Sequence, residues 1–269
     1  MTCRNSTRLL VAALVAGVAA CADSTAPSRP LTDALLTRDV AGDAADATSQ
    51  DLSQMLGGEL LAGLPLTAAP QGAPDRGGCT YSASVGRFLC PAITNVDGLT
   101  IERSFAIYAG GVAQSGYSAT ATDSMNFQTA LNGTIVRDGR TAWLNTARTM
   151  TVSGLAGTET QRSWSGVGTR FDSVHVTNEG VARRTRFRSI DRISSVVYAV
   201  PRTTNPFPKS GSITHDVAIT STADNATGSA TRSVTRHVVV TFNGTQIASV
   251  VVGTTPCTLD LVTRKLTCN

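Results

Sequence analysis

The sequence predicts an all-β protein: one large, curved antiparallel sheet, an open-barrel-like meander, carrying two disulfide-stapled hairpins. A two-layer β-sandwich is the alternative. Three observations support this class. From Cys79 onward apolar residues recur at every second position, and Gly, Pro, Asn-Gly and Asp-Gly signals separate the runs. The composition is 41% hydrophobic but only 5% aromatic, and dense in Ser, Thr, Gly and Val, which suits strands with polar outer faces. Two cysteine pairs bracket the region, each with ten residues between its members.

The chain opens with Arg4 and Arg8, then the uncharged run Leu9 to Ala20. As a helix these 12 residues cover about 18 Å, well short of the ~30 Å hydrocarbon core. A basic start, a short apolar middle and small residues at the end make an export signal rather than a spanning helix. The ending, Val18-Ala19-Ala20-Cys21, resembles the bacterial lipobox, Leu-Ala/Ser-Gly/Ala-Cys, with Val18 the one departure from its commonest form. The resemblance covers residues 1–21 only. It implies a signal peptide over 1–20, cleavage before Cys21 and lipid attachment at Cys21. Ala22, in place of Asp, implies passage to the outer membrane, on its periplasmic face or at the cell surface. Each buried methylene contributes ~0.8 kcal/mol, so three acyl chains would anchor the protein essentially permanently. An ordinary signal peptide cut after Ala20 is the competing reading.

Residues 21–78 read as an acylated tether. Thr32 is placed to cap a short helix over Asp33 to Val40, and Thr48 with Asp51 resembles a capping box before Leu52, Met55 and Leu56. Gly57-Gly58 would end that second helix. Such short helices are marginal alone, so they either dock on the domain or fray. Residues 61–78 hold three prolines and four glycines and read as linker. Charge divides at the same boundary: 3 basic and 8 acidic side chains in residues 22–78, against 18 basic and 11 acidic in 79–269.

Residues 79–269 form the β domain. The first hairpin pairs Cys79–Ala83 with Gly86–Cys90, and Asn95 to Gly98 turns the chain into Leu99–Ala109. Met125, Phe127, Leu131 and Ile135 keep period two up to a hairpin turn at Asp138-Gly139. Ala142, Leu144, Met150 and Val152 continue it. A Thr-rich strand with Trp164 follows, then Phe171–Val176, the basic strand Val181–Ile193 and the apolar run Ser194–Val200. Pro201 to Gly211 reads as a loop and as a crossover between two parts of the sheet. Ile213–Ile219 and Val234–Phe242 are strands, and Asn243-Gly244 suggests a type I′ turn into Gln246–Val252.

Cys79, Cys90, Cys257 and Cys268 allow three pairings. Equal spacing favours two local bridges, Cys79–Cys90 and Cys257–Cys268, closed in the oxidising compartment that export supplies. Both segments fit C-T-[YL]-x5-[RK]-[FL]-x-C, which reads equally as a duplicated module or as two stapled hairpins of strand-forming residues.

Chemistry-bearing signatures are sparse. His175, His215 and His237 sit on separate strands and read as surface or strand-end histidines. No HExxH, His-x-His, G-x-S-x-G or S-x-x-K spacing occurs. The sequence points to no metal and no cofactor. The function expected is that of a non-catalytic envelope lipoprotein with a structural or binding β domain. The alternatives are a carrier of a lipid or other hydrophobe in the curved sheet, and an envelope hydrolase with scattered carboxylates. The partner expected is the membrane, through the lipid anchor, and not nucleic acid.

One stretch suggests a binding surface. In Val181–Ile193 strand alternation puts Arg184, Arg186, Arg188 and Arg192 on one face and Val181, Phe187 and Ile193 on the other. Same-face neighbours lie ~6.6–7 Å apart, close enough for arginines to engage one polyanion, an anionic lipid or an acidic glycan. The competing reading is a solvated face whose arginines pair with acidic residues on adjacent strands.

Overall fold

A computed structural model describes residues 31–61, 78–95, 98–137, 140–157, 159–178, 181–202, 205–226 and 228–268. The signal peptide, Cys21, the linker over 62–77 and the Asp138-Gly139 turn lie outside them.

Long, alternating, β-branched runs joined by short turns give the expected architecture. A helix, α1 (Asp33–Leu61), precedes fourteen strands. These are β1 (Thr80–Ser82), β2 (Arg87–Leu89), β3 (Ile93–Thr94), β4 (Thr100–Ala109), β5 (Val112–Gln114), β6 (Ser124–Arg137) and β7 (Arg140–Ser153). Then come β8 (Gln161–Asn178), β9 (Val181–Ala199), β10 (Ser210–Asn225), β11 (Gly228–Thr241), β12 (Ile247–Val252), β13 (Thr255–Asp260) and β14 (Leu266–Cys268). All pairings are antiparallel and form one unclosed meander, β1-β2-β4-β6-β7-β8-β9-β10-β11-β12-β13-β14, with β3 and β5 flanking β4. At ~4.8 Å per strand a flat sheet of this order would be more than ~50 Å wide and could not share one core. Yet a single apolar cluster runs from Phe88 in β2 to Leu259 in β13 and includes Leu36, Val40 and Met55 of α1. The sheet is curled, with one inner face packed around the helix.

Buried and exposed residues alternate along β7 and along β9 from Arg184 to Ser194. The few aromatics are concentrated, with Tyr81, Phe88, Phe105, Phe127 and Trp164 in successive contact across the inner face at 4.7–6.2 Å between ring centroids. The disulfides are Cys79–Cys90 and Cys257–Cys268, and they staple the hairpins at the two ends of the sheet. The first has the expected register, with Ser82 opposite Arg87, around a four-residue turn that places Gly86 at φ +64°.

Four expectations are corrected. The two short helices are one continuous helix, capped by Thr32, whose Oγ1 accepts the Leu35 N–H at 3.1 Å. Thr48 and Asp51 therefore lie inside it, and Gly57-Gly58 do not end it, because packing on the sheet supplies the stability that the isolated pieces lack. Residues 33–61 thus belong to the folded domain rather than to a flexible tether. The Trp164 and Phe171 segments are one strand, and Ser194–Ala199 continues β9 past an irregularity where Ser195 adopts φ 49°. Residues 201–209 connect neighbouring strands, not distant parts of the sheet. Asn243-Gly244 is not a type I′ turn: only Gly244 has positive φ, and Asn243 instead accepts the Thr245 N–H at 3.1 Å.

Candidate functional site

Two constellations stand out, one on each face of the sheet around β9. On the inner face, polar residues of α1 meet polar residues of β7–β10. Leu36, Val40, Ala44, Ala47 and Met55 form the apolar stripe of the helix, and Asp43, Thr48 and Asp51 are buried beside it. Asp51 pairs with Arg148 of β7, whose Nη2 also lies 2.9 Å from Asp191 Oδ2 of β9, an ion-pair contact off the line of a good hydrogen bond. His215 of β10 donates from Nδ1 to Asp191 Oδ1 at 2.8 Å, and its Nε2 is 2.8 Å from Thr48 Oγ1. Ser189 donates to Asp191 as well. Nearer the N-terminus of the helix Asp43 pairs with Arg170, which stands 3.5 Å from Asp172, and Asp39 pairs with Arg183 at 2.9 Å. Gly168 lies opposite Arg148, where a Cβ would come within 2.4 Å of Nη1; the missing side chain is the space the guanidinium occupies.

Burial sets the electrostatics. It pushes Asp39, Asp43 and Asp51 above the ordinary carboxylate range, against the pull of Arg183, Arg170 and Arg148. It pushes Asp172 up to about 6, again against Arg170. Burial would raise Asp191 too, but the His215 hydrogen bond and the Arg148 charge outweigh it and hold this carboxyl well below the usual range. Asp191 is therefore the anionic hub of the group.

Thr48, His215 and Asp191 have the connectivity of a hydroxyl–imidazole–carboxylate relay. The relay is sealed: Thr48 and His215 are fully buried and Asp191 is 1% exposed, so a substrate reaches it only if α1 leaves. Asp51, Asp191 and His215 also offer three donor atoms within 4.8 Å of one another. The Arg148 guanidinium already lies against both carboxylates and supplies the positive charge there, so a cation would enter against it. What this network does in the folded chain is fix α1 to the sheet.

On the outer face Arg184, Arg186, Arg188 and Arg192 are all exposed, in one row along β9. Arg192 pairs with Asp216 at 2.5 Å, and Asp216 also accepts from His237 Nδ1 at 2.7 Å. Arg184 and Arg186 form no ion pair among the described residues; their neighbours across the strands are His175, Ser173, Thr222 and Thr220. Arg188 lies over the Phe171 ring, 5.2 Å from its centroid, and Trp143 meets that ring edge-on at 5.3 Å. The reading in which acidic neighbours neutralise the row accounts for Arg192 alone.

No protein-family model, curated protein or solved structure matches this chain.

The structure thus brings the four arginines together and joins the four cysteines as two bridges, while Cys21 lies outside the described residues. It corrects His215, which is buried rather than at the surface; His175 and His237 are exposed. Sequence reasoning missed the inner network. Its signal was present: Ser189 and Asp191 share the apolar side of β9 with Phe187 and Ile193. A polar pair on a core face requires partners, but His215 lies 24 positions away and Arg148 is on a strand two removed, so neither leaves a local trace.

Proposed function

We propose that this chain is a lipid-anchored envelope protein whose β domain acts by binding, not catalysis, through the outer face of its sheet. The observation that carries the reading is the exposed arginine row on β9, three of whose members are left unneutralised by described carboxylates. Uncompensated like charges side by side repel one another, and an anionic partner relieves that. Two disulfides fit an oxidising compartment, and the lipobox-like ending at Cys21 supplies the anchor. Among the described residues no helix is long and apolar enough to cross a membrane.

The other two functional readings gain less. A hydrophobe carrier needs an open inner face, and here α1 and the core side chains fill it. A hydrolase needs carboxylates of raised pKa in a cleft; Asp43, Asp51 and Asp172 have raised pKa values but lie buried between α1 and the sheet, beside arginines.

The test has two arms. Mass spectrometry of membrane-extracted protein is expected to show an acylated N-terminus at Cys21, and Cys21→Ser to move the protein to the soluble fraction; a soluble wild-type product overturns the anchor. The mature protein is expected to bind anionic probes at low salt and release them at high salt. Serine at Arg184, Arg186, Arg188 and Arg192 should abolish binding, and equal binding by that variant removes the outer face from the function.

A further inference from the structure

We infer that the ligand of the outer face is an anionic polysaccharide, with a sugar ring stacked on Trp143 and its acidic groups on the row Arg184, Arg186 and Arg188. This rests on the outer face being the binding face and asks what that face recognises. Along β9 Arg184, Arg186 and Arg188 span about 13 Å, with same-face steps of ~6.6–7 Å. A row of that length matches a linear chain with repeated charges better than a single small anion.

Charge is only part of the surface. Trp143 is 37% exposed on the outer side of β7, and it stays so in a sheet that buries Trp164 completely. Phe171 buttresses it from β8, and Arg188 covers Phe171 from β9, making a ladder across three strands. Ring stacking by an aromatic, next to fixed guanidinium groups, combines the apolar face of a pyranose with recognition of its carboxylate or phosphate.

Beside the ladder the surface is indented. An open depression of about 440 Å³ is bounded by Asn145, Phe171, Arg188, Ile190, Asp216 and Ala218. Ala218, opposite Arg188 on β10, contributes only a methyl group, and that small side chain leaves the space open. Its rim offers an amide, a guanidinium and a carboxylate, the mixed donors and acceptors that orient hydroxyl groups. Asp216 is held below the usual carboxyl range by hydrogen bonds from His237 and Arg192, so it offers the rim an anionic acceptor for sugar hydroxyl groups. A concave, hydroxyl-binding rim suits a sugar chain more than a plane of headgroups.

The experiment uses the full mature protein and three probes: polygalacturonate, dextran as its uncharged counterpart, and phosphatidylcholine vesicles containing phosphatidylglycerol. Polygalacturonate is expected to bind, and dextran and vesicles to bind at least about tenfold more weakly. Trp143→Ala, with its fold checked by circular dichroism and the thermal melt, is expected to weaken polygalacturonate binding about tenfold, roughly 1.4 kcal/mol, while Trp143→Phe, which keeps a ring against Phe171, retains most of it. Arg186→Ser is expected to weaken it and flatten its salt dependence. Preference for the vesicles overturns the polysaccharide and leaves the outer face as a binding face. Polygalacturonate binding that is indifferent to Trp143→Ala, or matched by dextran, overturns the ring-and-charge recognition argued here. No binding to any probe overturns this inference and the proposed binding role together.

Discussion

Replacing Arg148 with methionine should destabilise the domain more than any exposed substitution. The side chain is 3% exposed and stands between Asp51 of the helix and Asp191 of β9, themselves 0% and 1% exposed. Methionine keeps the methylene packing but leaves two carboxylates buried without their cation. Removing one member of a buried ion pair costs about 3–5 kcal/mol, because the remaining charge is stranded. With total stabilities of about 5–15 kcal/mol, that is a large fraction of what holds the fold. Asp51→Asn alone should cost less, since Asp191 still holds the arginine. In the double variant the two costs should not add: the stranded Asp51 charge is gone, so a coupling of about 1–3 kcal/mol is expected. Urea unfolding followed by tryptophan fluorescence measures all three, with buried Trp164 reporting on the core. A cost for Arg148→Met below about 1 kcal/mol, the range of exposed pairs, or strict additivity with Asp51→Asn, would refute the network as the helix anchor.

Three further outcomes follow from the same geometry. Asp172, with its carboxyl at about 6, holds a proton in the folded state that the unfolded chain has lost, so its contribution falls as pH rises from about 4 to about 6. The shift corresponds to about 3 kcal/mol. Urea midpoints should rise on acidification from neutral pH to about 5, and Asp172→Asn should flatten that slope; an unchanged slope refutes the assignment. Below about 4 the sign reverses, because depressed Asp191 gives stability that is lost as it protonates. Gly168→Ala should push Arg148 off Asp51 and Asp191 and lower the thermal midpoint by several degrees, whereas a neutral result would mean that the guanidinium has another place to lie. Serine at both Cys257 and Cys268 should cost about 3 kcal/mol in the chain-entropy model, read from chemical denaturation, and leave the Cys79–Cys90 bridge intact in peptide mapping.

The sheet was legible because its information is local. Two-residue alternation, turn residues and equal cysteine spacing each lie within a window of a dozen residues, and the registers of the two cysteine hairpins follow from them. The arginine row was legible for the same reason: one strand carries it. The helix was not. Asp43, Thr48 and Asp51 interrupt its apolar stripe, so the sequence reads as two frayed pieces with polar ends. Only Arg170, His215 and Arg148, which lie on three different strands, make those positions suitable for burial. The balance of charge did hint at it, since an acidic segment precedes a basic domain. Composition gives the attraction but not the register, and the register is where the network lies.

The two faces of β9 are linked by that register. Its side chains alternate, so a slip of one residue would turn Arg184, Arg186, Arg188 and Arg192 inward under the helix and Phe187 and Ile193 outward. A sheet whose outer face is rich in Ser and Thr resists such slips weakly on that side, because one hydroxyl replaces another at little cost. The inner side resists strongly. Asp191 accepts from His215 of β10 and lies against Arg148 of β7, two strands away, while Ser189 supports it from its own strand. A shift of β9 by one position would break both cross-strand contacts, turn Asp191 outward and bring arginines of the row under the helix beside Arg148, at a cost of several kcal/mol. The buried network thus has a consequence on the surface it never touches: by fixing β9 against β10 and β7, it keeps the arginine row facing outward.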